Sequence, residues 1–341
     1  AVAVGSGTTP AIAIGISVAT NEIGNDDDSR NPVEVKAYTK DSNIETAGTL
    51  SVTATANNSI AATVKATAIA VGASSASSVG ASGAGVITNN QIITDVAALI
   101  DTAEQIKTGG ALSVTAADTS SVSADSQAVA VGASLAGSNG TSISVGASTA
   151  RNRIGNFVSA KIKNIGRLLT GGNNIDVTAT ESTDIDAKSV AAAVSMGIGG
   201  SNGIALSGGG AESTNVILSN TEATVENSQL GSQDDKVSDV TLASRSTSTI
   251  KAEIGAVAAS VSIGDSSGVC AALGAAVARN LIGYDLDGSN VESGAQAEMV
   301  NTSVQASGEL SQSAIASQTG DAQVLAGSVA LSGGGTTGVA L

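Results

Sequence analysis

The stretch Ala128-Val129-Ala130-Val131-Gly132-Ala133-Ser134, with its return Ser142-Ile143-Ser144-Val145-Gly146-Ala147-Ser148, decides the fold class. Small residues alternate with branched apolar ones, the period-two signature of a β-strand. Between the two runs lies Gly137-Ser138-Asn139-Gly140-Thr141, a turn built from residues that accept positive φ. Variants of the unit begin at Ala1, Ala68, Ala193, Ala259 and Val329. A chain that repeats one strand–turn–strand unit is a stacked array, and the expected fold is an all-β, parallel β-helix-like solenoid. Stacked antiparallel hairpins in a sandwich fibre satisfy the same alternation.

Three anchors set the expected register. A glycine closes the first strand at Gly5, Gly72, Gly132, Gly197, Gly264 and Gly333. Asn-x-Ile recurs at Asn21, Asn90, Asn152, Asn215 and Asn280, where the asparagine reads as a turn residue or a stacked amide ladder. A Val-Thr strand recurs at Val52, Val114, Val177 and Val240, with a weaker copy near Gln312. These anchors divide the chain into one continuous array with approximate repeats 1–67, 68–127, 128–192, 193–259, 260–328 and a partial 329–341. A spacing of roughly 63 residues would hold three solenoid coils of about 21 each. Gly335-Thr336-Thr337 repeats Gly7-Thr8-Thr9, so the sequence reads as an excerpt of a longer array or one unit of a head-to-tail fibre.

Composition limits what the array can do. The 341 residues carry 30 acidic and 15 basic side chains, a net charge of −15 that opposes nucleic acid and anionic lipid. That excess serves solubility or attracts divalent cations. The aromatic residues are Tyr38, Phe157 and Tyr284, so Ala, Val, Ile, Gly, Ser and Thr must fill the interior. Charge-free runs such as 126–150 are interrupted by turn residues and keep strand periodicity, and no membrane insertion is expected. Val129, Val131, Ile143, Val145 and Ile154 are expected inside, with Glu34, Lys161 and Lys163 in water. Ala, Leu, Glu and Gln between Val96 and Ile106 would favour a helical turn. Cys270, the single cysteine, occupies a small-residue slot matching Ser142 and reads as a buried space-filler.

Catalytic chemistry has little to stand on. There is no histidine, so neither a Ser-His-Asp nor a Cys-His arrangement exists, and the chain is read as no enzyme. Runs such as Gly208-Gly209-Gly210 lack the Lys-Ser/Thr of a phosphate loop. Two acidic loops follow Asn-x-Ile: Asp26, Asp27 and Asp28 in the first copy, Asp285 and Asp287 in the fifth. Closely spaced aspartates suit calcium, which wants six to eight oxygens, although neither loop continues into a complete twelve-residue calcium loop. No cofactor other than calcium is expected.

The recurring AVAVGAS, SVGAS, N-x-IG and VTA elements resemble the repeats of giant bacterial surface proteins, the filamentous-haemagglutinin-like and leukotoxin-like adhesins. The resemblance covers essentially the whole chain and implies a secreted, elongated β-solenoid at the cell surface, acting in adhesion. Two functions follow as expectations. One is a structural subunit or segment of an extracellular fibre whose partners are further copies or repeats of itself. The other is a stalk segment of a giant adhesin mediating cell–cell or cell–surface attachment.

Overall fold

The computed structural model describes residues 1–7, 9–24 and 31–341. These residues form a β-solenoid of three sheets in which every pairing of neighbouring strands is parallel. The first sheet stacks Val2–Ser6, Leu50–Ser74, Leu112–Ala136, Ile175–Gly199, Val240–Gly264 and Leu310–Gly334 in that order. The second is built around Ser77–Ala103 and Asn139–Ile165, extended by Asn202–Ile217, Asn220–Glu226 and Ser267–Ile282. A narrow third sheet joins Ile44–Thr46, Ile106–Thr108, Leu168–Leu169, Gln229–Leu230 and Ser303–Val304.

Each repeat makes one turn of the solenoid, not three. The chain runs out along Leu112–Ala136, turns at Gly137-Ser138, returns along Asn139–Ile165 and crosses Leu168–Leu169 before Ile175 begins the next coil. The asparagines of Asn-x-Ile are bonded across separations of 69, 62, 63 and 65 residues, so a whole repeat is consumed per coil. The expected coils of about 21 residues fail because the long strands of the first sheet run 25 residues without a corner. At ~3.3 Å per residue such a strand is ~80 Å long, and each coil advances the stack by only ~4.8 Å.

The cross-section tapers. At the wide end, beside the third sheet, Val114, Val158, Ile162, Leu168 and Val177 form an aliphatic core. A second apolar layer holds Val122, Ile154, Ile185 and Ile217. Toward the hairpin tip it is mainly Ala, Gly and Ser that face inward, as at Ala66, Ala68, Ala128 and Ala130. The two sheets approach so closely there that a Cβ on Gly146 would lie 2.7 Å from the Ala192 carbonyl oxygen.

This taper corrects the expected burial. Ala128 and Ala130 point inward, while Val129 and Val131 are half exposed and Ile143 and Val145 are exposed on the outer surface. A blade thin enough to bring backbones together cannot take a branched side chain between its walls, so alanine and serine win the interior positions. Ile154, farther from the tip, is buried as expected. Glu34 is exposed, and Lys161 and Lys163 lie on the outer face. Cys270 is buried and, through Ala205, shares its row with Ser142.

Two other expectations change. The segment Val96 to Ile106 carries no helical turn: it belongs to Ser77–Ala103 and Ile106–Thr108. Val96, Ala98 and Ile100 are buried in alternation and pair with Val158, Ala160 and Ile162, so the period-two pattern overrides helix propensity. The anchors also slip. Gly72 and Gly197 both pair with Ser134, whereas Gly132 pairs with Ala70 and Ser195. Val177 pairs with Leu242, and Val240 with Ile175. The asparagine anchor holds in every coil.

Candidate functional surfaces

Four features stand out: an open sheet edge, two apolar outer faces, an asparagine spine and an acidic loop. Leu310–Gly334 pairs with Val240–Gly264 along its whole length, and its other edge has no partner among the described residues. A 25-residue row of unpaired backbone groups is a template for another parallel strand.

The outer faces of the blade carry the branched residues that the interior rejects. On the first sheet Val131 pairs with Val194, and Met196, Val257 and Ile263 continue the patch. On the second sheet Ile143, Val145, Leu206 and Leu273 form the matching surface, Leu273 being 70% exposed. Apart from Asp265 in the tip turn, charged side chains on the first sheet begin farther from the tip, at Lys65, Asp125, Lys188 and Glu253. Four outward columns across five strands give each face a footprint of about 600 Å². That is at the top of what a monomer ordinarily exposes.

The asparagine spine runs along the axis. Asn21 donates through Nδ2 to Asn90 Oδ1 at 2.8 Å, Asn90 to Asn152 at 2.8 Å, Asn152 to Asn215 at 2.8 Å and Asn215 to Asn280 at 2.9 Å. Asn280 then donates to the Asp321 carbonyl. Asn90, Asn152, Asn215 and Asn280 each both donate and accept, a polar column buried through its middle that repeats only if every coil supplies the same residue. A second column occupies the far corner, where Thr102, Asn164, Asn227 and Asn301 all take positive φ. Asn227 donates to Asn164 and Asn301 to Asn227, each at 3.3 Å.

Of the acidic loops, Asp26, Asp27 and Asp28 lie outside the described residues. Asp285 and Asp287 belong to a tight turn in which Gly288 donates to the Asp285 carbonyl. The Asp285 carboxylate accepts from the Leu286 N–H at 2.7 Å and pairs with Arg153 at 3.0 Å. The Ser289 hydroxyl and N–H hold the Asp287 carboxyl below its ordinary pKa. Both carboxylates thus already serve the turn, and among the described residues no three acidic, histidine or cysteine side chains gather as metal ligands. Beside this loop an open groove of about 310 Å³ runs between Gln91, Arg151, Arg153, Thr214 and Leu286.

Compared with family models, curated proteins and solved structures, the chain matches none. The functional reading therefore rests on the surfaces themselves.

Proposed function

We propose that this chain is a structural segment of an extracellular fibre in which further coils, of the same polypeptide or of other copies, continue the stack. The observation that carries the reading is the in-register parallel stack itself, in which successive coils pair along 25 residues. Lateral contact between blades is the second mode of assembly, through the apolar outer faces. Electron microscopy of purified residues 1–341 tests continuation by other copies: ribbons with strands across the axis support it, and dispersed particles at all concentrations refute it.

The adhesin stalk is the second reading, and the geometry weighs against it as a long-reach device. A stack that gains ~4.8 Å per coil while consuming a whole repeat needs about three times the chain length, per ångström of reach, of a solenoid with 21-residue coils. The same residues spent on width favour a broad ribbon. Location at the cell surface is part of the proposal, and fractionation of the producing cell tests it.

A further inference from the structure

Two acids sit inside the solenoid with no cation beside them. Asp118 is 2% exposed and Glu181 3%, and they are register neighbours in adjacent coils of the first sheet. No lysine or arginine is buried among the described residues, and neither acid takes part in an ion pair there. Isolated buried carboxylates are costly, and proteins ordinarily pair them or neutralise them. The surrounding hydrogen bonds satisfy only part of each group. Asp118 Oδ1 accepts from Ser120 at 2.7 Å and from the Asn156 amide at 2.7 Å, and Glu181 Oε2 accepts from Ser246 at 2.8 Å.

The other oxygen of each group has no partner. Asp118 Oδ2, Glu181 Oε1, Asn156 Oδ1 and Ser219 Oγ are all buried without a hydrogen bond. Asn156 and Ser219 are themselves almost wholly buried, at 3% and 2%. They are consecutive rungs of the opposite wall: the Asn156 amide lies on Asp118, and the Ser219 hydroxyl, with Thr183 and the Thr247 backbone, lies within hydrogen-bonding reach of the Glu181 carboxyl. Four unsatisfied oxygens thus share one interior layer, between the aliphatic core of the wide end and the Ile154 layer. One such atom would be a local imperfection. One unsatisfied oxygen on each of two uncompensated carboxylates, with an amide oxygen and a hydroxyl in the same layer, is the donor chemistry of a hard cation.

We propose that this layer is an interior calcium site, in which Asp118, Glu181, Asn156 and Ser219 supply oxygen ligands from two adjacent coils. The chemistry selects the ion. Two carboxylates balance a divalent charge, and the amide and hydroxyl oxygens are hard donors that calcium accepts in irregular geometry. Magnesium is disfavoured, because it keeps several waters and demands a regular octahedron. Nitrogen and sulfur donors preferred by zinc are absent from the set. The site is distinct from the exposed Asp285 loop and independent of the fibre proposal, since an ion bridging coils within one chain stabilises the solenoid whether or not it assembles.

Calorimetric titration of purified residues 1–341 with calcium chloride, paired with melting curves in chelator, calcium and magnesium, is the test. The wild-type chain should bind calcium and melt higher in calcium than in magnesium or chelator. The isosteric pair D118N/E181Q should fold, bind one calcium fewer per chain and lose the calcium-dependent rise. D285N/D287N should keep the rise. Should D118N/E181Q not fold, S219A serves instead, with calcium affinity reduced on the order of tenfold or more. Unchanged calcium stoichiometry in D118N/E181Q, or unchanged affinity in S219A where that variant is used, overturns the site. So does a wild-type chain that calcium does not stabilise, as when Asp118 and Glu181 simply share a proton.

Discussion

Gly208, Gly209 and Gly210 are adjacent in sequence and differ completely in surroundings. A Cβ on Gly208 or Gly210 meets nothing within 4 Å, whereas one on Gly209 lies 2.7 Å from the Val257 carbonyl oxygen. Replacing Gly209 by alanine should destabilise the chain by about 1 to 3 kcal/mol, because backbone cannot yield as a side chain does. Replacing Gly208 by alanine should cost nothing measurable and gain from the stiffer unfolded chain. Urea midpoints of the two variants check the difference, and equal midpoints would refute the close approach of the sheets. The same logic separates Ala130→Asp, which puts a charge between the walls and should cost several kcal/mol, from Val131→Asp, which should cost about 1 or less. Period-two alternation was legible in these residues, but it has no sign: it says that Ala130 and Val131 face opposite ways, not which faces in. Blade thickness decides that, and thickness depends on the opposite strand.

At the scale of the elements, the solenoid is held by layers that repeat along the axis. The asparagine spine was readable because a ladder of amides tolerates no substitute, so Asn-x-Ile stayed in register through every coil. The glycine anchor was not, because interior rungs near the tip accept Gly, Ser or Ala alike, as the row Gly72, Ser134, Gly197 and Ser262 demonstrates. Asn152→Ala removes one donor and one acceptor from the middle of the spine, taking the acceptor from Asn90 Nδ2 and leaving Asn215 Oδ1 only the longer bond from Ser213. A loss of about 2 to 4 kcal/mol is expected, against a smaller loss for the terminal Asn21→Ala. Denaturant unfolding of both variants measures it. The acidic layer was illegible, since Asp118 and Glu181 look in sequence like any surface acid. Burial pushes the Asp118 carboxyl up to about 6, and Glu181, the charged group facing it, is raised as well, again mainly by burial. The folded state therefore holds these protons more tightly than the unfolded chain. Their stabilising contribution is full below about pH 4 and is lost as the pH rises through about 6, a change of about 2 to 3 kcal/mol for Asp118. In chelator the wild-type midpoint should thus fall between pH 5 and 7.5, and Asp118→Asn should flatten that dependence.

The whole molecule is a slab whose long dimension lies across the stacking axis, and this fixes what an assembly must look like. Coils added to the Leu310–Gly334 edge would extend a ribbon ~80 Å wide, with strands perpendicular to growth and a ~4.8 Å repeat along it. Oriented material should diffract at that spacing along the axis, and a 4.8 Å spacing running across the axis would refute the arrangement. Growth should also depend on the open edge residue by residue. In a parallel strand, successive residues direct their N–H groups to opposite neighbours, so Gln318 and Thr319 present theirs to different sides. Proline at the residue facing Val240–Gly264 removes a bond within the last coil and lowers stability. Proline at the other removes a donor that only an incoming strand would use and leaves the isolated chain nearly unchanged. Of Gln318→Pro and Thr319→Pro, therefore, one should melt earlier, and the other should melt normally yet shift the sedimentation of concentrated protein toward smaller species. If neither variant changes assembly while the wild type forms ribbons, addition proceeds through the apolar faces rather than the edge. Val145→Lys and Val194→Lys, one on each face, would then be the substitutions that disperse it.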